Sequence, residues 1–302
     1  KYTQLFTSVF RSGILVQGKY VNELENEFVK FTQSSFAAAV SSGTATLHLA
    51  LIALGIKNGD EVIVPAFSYM ATANVVELVG AKPVFVDIDL TTFNIDVTKI
   101  EAAITPKTKA IIPVHEFGLS CDIEGVMSIA KKHNLFVIED AACALGAKFK
   151  NKHVGTFGDF GSFSLHPRKA ISSGEGGILI TNSKNFDKLV KLLRNHGTDI
   201  IDGKMNFSEF GFNYRMTDFQ AALVYSQLPR LQQGIEYKQK LANIYFNELN
   251  LINLTLPFIP SYTQHTWQTF HVIVNNKINR DDLIEKLKAK NIGVNYGAQC
   301  MP

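Results

Sequence analysis

Glu61-Val62-Ile63-Val64 is an apolar run of strand length, Ala71 to Val79 follows with helical period, and Pro83-Val84-Phe85-Val86 is a second apolar run. The same unit recurs on both sides. Further strands are expected at 110–114, 136–138 and 177–181, and further helices at 44–54, 98–104 and 123–132. Short β segments separated by helices predict an α/β fold with a mostly parallel central sheet and helices on both faces. Ligands of such sheets collect beyond the carboxyl ends of the strands, so chemistry is sought at that edge.

From about residue 217 the pattern changes. Helices are expected at 217–228 and 230–249, broken by Pro229, then a loop at 257–260, a strand at 267–274 and a helix at 280–290. This predicts a large α/β domain over 1–230 and the start of a smaller α+β domain over 231–302. Of the 302 residues 46% are hydrophobic and 19% charged, which excludes a disordered or low-complexity protein. Lys and Arg number 30 against 27 Asp and Glu, and a net charge of +3 gives no reason to expect nucleic acid or an anionic membrane as partner. An acidic ligand must be held by local groups. No apolar run is long enough to span a bilayer. Cys121, Cys143 and Cys300 form no Cys-x-x-Cys pair, so neither a metal site nor a disulfide framework is expected, and a reducing, cytoplasmic setting is. The chain opens on Lys1-Tyr2-Thr3-Gln4 and closes on Met301-Pro302, as expected of a segment of a longer gene product.

Ser42-Gly43-Thr44-Ala45 leads into a helical run, where Ser42 or Thr44 would cap and Gly43 admits close backbone approach. The free N–H groups there make either an ordinary capped helix or a phosphate cradle. No G-x-G-x-x-G follows an early strand and no G-x-x-x-x-G-K-[ST] is present, which removes the dinucleotide and P-loop folds. The strand at 136–138 runs into Glu139-Asp140. Strand side chains alternate, so only one of these carboxylates faces a given side, either solvated or paired with a buried cation.

Ser164-Leu165-His166-Pro167-Arg168-Lys169 precedes Gly174-Glu175-Gly176-Gly177 and another apolar strand. A lysine is ordinarily a surface residue, but one desolvated between an apolar strand and a glycine-rich turn could act as a nucleophile. His166 shares no metal-ligand spacing with His48, His115 or His133. Tyr69, in a strand-to-helix connection, is either core or a face for a planar ligand. A Schiff-base lysine, a carboxylate for a pyridine nitrogen, an aromatic face and a helix N-terminus for a phosphate are together the parts that hold pyridoxal 5'-phosphate (PLP).

The order and spacing of these strings resemble the DegT/DnrJ/EryC1/StrS family of sugar aminotransferases, which have the type I PLP fold. The resemblance covers nearly the whole chain. It runs from Arg11-Ser12-Gly13 and Gln17-Gly18 through Ser42-Gly43-Thr44, Gly59 to Pro65 and Glu139-Asp140-Ala141-Ala142. It continues with Gly158-Asp159-Phe160-Gly161, Ser164 to Gly177, Arg194-Asn195-His196-Gly197 and Gly211 to Asp218. By this resemblance Lys169 would carry the cofactor covalently and move the reacting proton, Asp140 would pair with the pyridinium nitrogen, and Tyr69 would stack on the ring. Thr44, Ala45 and Ser164, with Gly43 in the same loop, would take the phosphate. Asn213, in Gly-x-Asn-Tyr-Arg, would reach the cofactor phosphate of a neighbouring subunit, which implies a homodimer with a shared active site. His166, Glu175, Tyr214 and Arg215 would lie on the substrate side, His166 also among the catalytic residues.

The implied reaction is a transamination in two halves, with L-glutamate or glutamine as donor. A nucleotide-linked keto sugar would be the acceptor, at C4 of a 4-keto-6-deoxyhexose. A C3-keto sugar, a keto-cyclitol or a catalytically idle binding homologue are the alternatives. Relatives acting at C3 more often carry Tyr-Pro-x-Lys-Asn with Gly-Asp-x-Gly, and His166 with Gly-Glu-Gly-Gly leans away from them. Family dehydratases replace the lysine by His, so Lys169 speaks against dehydration. Two departures stand out. Cys143 occupies a position where relatives usually have Gln or His near the 3-hydroxyl of the cofactor, and a thiol is a poorer hydrogen-bond partner. The small domain of relatives runs on past 293–296, so 231–302 is expected to be an incomplete one.

Overall fold

The computed structural model describes residues 2–249, 254–297 and 299–300. The chain runs through α1 (Tyr2–Ser12), α2 (Lys19–Thr32), β1 (Phe36–Val40), α3 (Gly43–Ala53), β2 (Glu61–Pro65), β3 (Phe67–Ser68), α4 (Ala71–Leu78) and β4 (Lys82–Val86). It continues with α5 (Val97–Ile100), β5 (Thr108–Ile111), α6 (Ile123–His133), β6 (Phe136–Asp140), β7 (Lys148–Phe149), β8 (Lys152–His153), β9 (Phe160–Ser164), β10 (Gly177–Thr181) and α7 (Lys184–Leu193). The last elements are β11 (Thr198–Ile201), β12 (Lys204–Phe207), α8 (Asp218–Tyr225), α9 (Leu231–Leu249), β13 (Leu254–Thr255), β14 (Thr263–Gln264), β15 (Ile273–Val274), α10 (Arg280–Ala289) and β16 (Gln299–Cys300).

The central sheet has seven strands in the order β1-β10-β9-β6-β5-β2-β4. The pairs from β9 to β4 are parallel, while β10 runs antiparallel to both β9 and β1. Alternation along each strand sorts the core into layers. Val62, Val64 and Ile138 pack with α3 and α4 on one face, and Ile63 and Val137 pack with α6 on the other. The α/β arrangement read from the chain, a mostly parallel sheet with helices on both faces, is the one observed.

Several elements differ from expectation. The strand expected at 110–114 is β5, which ends at Ile111 because Pro113 has no N–H for the ladder. The helix expected at 98–104 starts at Val97, capped by Asp96, and tightens into a 3-10 turn at Glu101–Ala103. The strand expected at 267–274 shrinks to β15. Trp267 there has φ 53°, outside strand geometry, and its ring stacks on His265 at 3.9 Å. The break at Pro229 is a 3-10 turn between α8 and α9, and a Thr217–Gln220 capping box starts α8.

The C-terminal segment lies against the turn after β5, with Thr266 N–H donating to the Gly118 carbonyl at 3.0 Å and Gln268 N–H to that of Phe117 at 2.9 Å. β16 pairs with β3. Among the described residues no helix is long and apolar enough to cross a membrane.

One buried ion pair fixes the β1 edge. Arg194 Nη1 lies 2.5 Å from Glu25 Oε1 and also donates to the Ala39 carbonyl at 2.8 Å, while Ala39 N–H donates to Glu25. Arg194→Met would strand the Glu25 carboxylate, with Lys191 3.9 Å away and more exposed. A loss of about 3 kcal/mol is expected from such an orphaned buried charge, read as a lowered urea midpoint.

Candidate active site

The strand register gathers chemistry at one sheet edge. Val40 at the end of β1 faces Gly177 on β10, Gly177 faces Ser164 at the end of β9, and Asp140 at the end of β6 faces Ser162. Helix α3 starts just beyond β1. Ser42 caps it, its hydroxyl accepting from Ala45 N–H at 3.0 Å. The N–H groups of Gly43 and Thr44 belong to the first turn, where a helix offers no internal acceptor. A methyl group on Gly43 would lie 2.8 Å from the Ser164 Cβ, so glycine is what lets Ser164 sit against the helix start. Two backbone donors and a hydroxyl at a helix N-terminus suit a phosphate.

The two acids at the end of β6 part company. Glu139 faces the α6 side, fully buried, and accepts from the N–H groups of Gly155 (2.7 Å), Phe157 (2.6 Å) and Gly158 (2.8 Å). His115 Nε2 lies 3.0 Å from its Oε2. Since His115 Nδ1 accepts from Cys121 N–H, Nε2 is the ring nitrogen that donates. This explains Gly158-Asp159-Phe160-Gly161 as a wrap around Glu139, in which a methyl on Gly161 would lie 2.2 Å from the Gly155 carbonyl oxygen.

Asp140 faces the other side. Thr72 Oγ1 donates to its Oδ2 at 3.0 Å and Ala142 N–H to its Oδ1 at 3.1 Å. Burial raises the Asp140 pKa, against the lowering effect of these two donors and of the Lys169 charge. Neither acid of the pair is solvated.

Lys169 is half-buried in the loop between β9 and β10, its N–H donating to the His166 carbonyl at 2.9 Å. Its Nζ donates to Cys143 Sγ at 2.9 Å, and burial pushes the Cys143 thiol up. The structure therefore brings Lys169, Cys143 and Asp140 together, beside the Gly43–Ser164 cradle.

Tyr69 is 71% exposed at the start of α4, a ring face open to a ligand rather than core. His166 is half-buried, its Nδ1 accepting from Arg168 N–H at 3.3 Å. Glu175 and Asn213 are exposed, Asn213 bridged through its backbone to Asn195. Tyr214 and Arg215 have partners of their own. The Tyr214 ring stacks on Phe212 and its hydroxyl lies 3.1 Å from His48 Nδ1, while Arg215 donates to Asn195 Oδ1 at 2.7 Å.

Sequence reasoning missed Ser68, Thr72 and Glu116. The only signal for Glu116 was an acid at the exit of an apolar strand, in Val114-His115-Glu116-Phe117-Gly118. Glu116 is buried, its pKa raised to about 8 by desolvation and then by the Asp140 charge. The folded protein thus holds that proton more tightly than the unfolded chain. The resulting stabilisation is full below the ordinary value of 4.5 and is lost as pH rises through about 8. In the cofactor-free protein, urea midpoints across that window should fall with pH, and Glu116→Gln should flatten the fall.

The sheet thus presents a lysine, a buried carboxylate and a helix N-terminus at its strand ends. The chain matches the DegT/DnrJ/EryC1/StrS aminotransferase family over residues 1–297. It is 40% identical over 279 residues to a GDP-perosamine synthase of Caulobacter vibrioides, covering 91% of this chain and 75% of that protein. The structure of DesV from S. venezuelae in complex with a ketimine intermediate superposes with a TM-score of 0.91 at 32% identity, covering 97% of this chain and 78% of that one. The PLP-form of a sugar aminotransferase, Spr1654 from Streptococcus pneumoniae, described as putative, superposes with a TM-score of 0.91 at 28% identity, covering 97% and 81%. The chain belongs to the DegT/DnrJ/EryC1/StrS family and is a PLP-dependent aminotransferase.

Proposed function

We propose that this protein transfers an amino group from L-glutamate to a nucleotide-linked keto sugar, at C4 of a 4-keto-6-deoxyhexose. The observation that carries the reading is the meeting of Lys169 and Asp140 beside the cradle of Ser164 and the α3 N-terminus. This donor set fits PLP, which when bound supplies an electron sink for the amino donor. Lys169 would hold it and carry the proton to and from the donor Cα, and Asp140 would keep the ring nitrogen protonated. The N–H groups of Gly43 and Thr44 and the Ser164 hydroxyl would take the phosphate. Ala45 N–H is already used by the Ser42 cap, so Ala45 shapes the cradle. Tyr69 would cover the ring and Cys143 would face its hydroxyl. His166 and Glu175, on the lysine loop, would meet the sugar, while Tyr214 and Arg215 would fix the segment that carries Asn213. The similarity to a GDP-perosamine synthase supports a nucleotide-sugar acceptor.

A homodimer with a shared site is part of this proposal. The β11–β12 hairpin and the loop after it expose Ile200, Met205, Phe207 and Phe210, an apolar patch of the kind that marks an interface. Asn213→Ala should then weaken PLP retention about tenfold, as loss of a hydrogen bond to a charged group would. A monomer that retains PLP normally would contradict the shared site. The free thiols of Cys121 and Cys143 suit a cytoplasmic protein. Incubation with L-glutamate and UDP-, dTDP- or GDP-linked 4-keto-6-deoxyhexoses, with mass spectrometry of the products, tests the acceptor. An aminated nucleotide sugar is expected. Amination of a 3-keto sugar or a keto-cyclitol alone would overturn the C4 reading.

A further inference from the structure

We propose that the groove between the loop that carries Lys169 and the first turns of α9 is a binding site for a small carboxylate with an aliphatic body. It lies outside the transfer site, and none of the residues placed in that site lines it. The groove has a volume of about 200 Å³. Ala170, Ile171, Leu231 and Ile235 give it apolar walls, and Arg230 and Lys238 supply positive charge. Among the described residues no acidic side chain lines it.

The helix makes this groove by leaving a side chain out. Leu231, Gly234, Ile235 and Lys238 stand at i, i+3, i+4 and i+7, one face of α9. Leu231 and Ile235 bury that face in the core cluster that also holds Ile171. Glycine is a weak helix former, and no close approach calls for it here, since a Cβ on Gly234 would meet nothing within 4 Å. A larger side chain at that point would occupy the groove. The facing wall is tied in place by Gln227, which accepts from Ser172 N–H at 3.2 Å and donates to the carbonyls of Ser172 and Leu223 at 2.7 and 3.0 Å. The lysine loop is thereby fastened to the turn before α9, and the groove is preformed.

Lys238 is the group that calls for an anion. It is half-buried, and desolvation lowers its pKa with no neighbouring carboxylate to offset the loss. An ammonium withdrawn from water without a partner is costly, and an anion in the groove would return the missing interaction. Arg230 adds a second positive charge to the same lining. The apolar walls select among anions, because they reward a hydrocarbon body and offer nothing to a compact, strongly hydrated ion. A water occupies about 30 Å³, so the groove has room for about six of them, the bulk of a small organic acid. Ala170 and Ile171 directly follow Lys169, so the bound acid would touch the loop of the transfer site without entering that site.

The test is isothermal titration calorimetry of glutarate into the purified protein, with inorganic phosphate titrated in parallel. The variants are Lys238→Gln and Gly234→Leu, neither in the transfer site. The wild type should bind glutarate saturably, and phosphate about tenfold more weakly or worse. Lys238→Gln keeps much of the stem and should weaken glutarate about tenfold, as loss of a hydrogen bond from a charged group would. Gly234→Leu should abolish binding by filling the groove. Its urea midpoint should equal or exceed that of the wild type, since leucine is the better helix former, which separates lost binding from lost folding. No saturable binding of glutarate at millimolar concentrations, or an affinity that either variant leaves unchanged, would overturn the site. Phosphate bound as tightly as glutarate would overturn the carboxylate assignment. The titrations are run with and without PLP, so a protein that takes up no PLP but binds glutarate in this pattern would sink the cofactor reading and leave the groove standing.

Discussion

Lys169→Ala should abolish amino transfer and leave the fold standing. Its backbone N–H, which alanine keeps, makes the bond to the His166 carbonyl that shapes the loop. Its side chain is half-buried and its Nζ donates to Cys143, a contact the core does not depend on. Ser172, a few residues on, is tied through Gln227 and remains so. The chemistry is a different matter. No other amine in the described structure lies against Asp140 and Cys143, and a positioned proton carrier alone is worth about 10² to 10⁴ in rate. A fall of about 10³-fold or more in 2-oxoglutarate formed from glutamate is expected, with an unchanged circular dichroism spectrum. An alanine variant that still transfers amino groups would remove Lys169 from the centre of the site.

Asp140→Asn carries the second large effect. Asparagine keeps the shape: its carbonyl oxygen can still accept from Ala142 N–H, and its amide N–H can donate to the Thr72 hydroxyl, which accepts as well as donates, so the strand end should survive. The negative charge is what disappears. A preorganised charge in a site closed to water acts at low dielectric, and removing one such interaction costs about 10² to 10³ in rate. Slower transamination by that factor, with PLP less firmly held, is expected from initial rates at saturating PLP. The neutral residue also removes the negative partner of Lys169, so the variant's visible spectrum should titrate differently from the wild type. Wild-type kinetics in Asp140→Asn would mean that another group serves the cofactor ring.

The alternation of strands and helices was legible because the parallel strands are buried on both faces. Val62, Ile63 and Val64 are fully inaccessible, and such a strand has no polar positions to blur its reading. β1 was not, since Phe36-Ala37-Ala38-Ala39-Val40 is alanine-rich and low in strand propensity. It is held in the sheet by β10 and by the Glu25–Arg194 pair, a contact across 169 positions of chain. β9 hides behind Gly161, Ser162 and Ser164, where glycine serves a close approach to Gly155.

The site divides the same way. Asp140, Ser164 and Lys169 sit at or just beyond strand ends, where side-chain type and position in the chain coincide, and Gly43 opens the helix that follows β1. Glu116, Ser68 and Thr72 come from a turn, a two-residue strand and a helix. Only the folded sheet makes them neighbours, and no spacing in the chain announces it. The burial that separates Glu139 from Asp140 is likewise a property of the packed sheet. Alternation announced two roles for the pair, without saying that Glu139 belongs to His115 and the Gly155–Gly158 wrap.

The visible absorption spectrum of the purified protein with PLP, recorded before and after L-glutamate, tests the central claim most directly. The account predicts that the wild type binds PLP, that glutamate changes the spectrum of the bound cofactor, and that one 2-oxoglutarate appears per site, with no such change in Lys169→Ala. A protein that binds PLP with a spectrum glutamate leaves unmoved would contradict glutamate as the donor, and a protein that takes up no PLP would contradict the site itself.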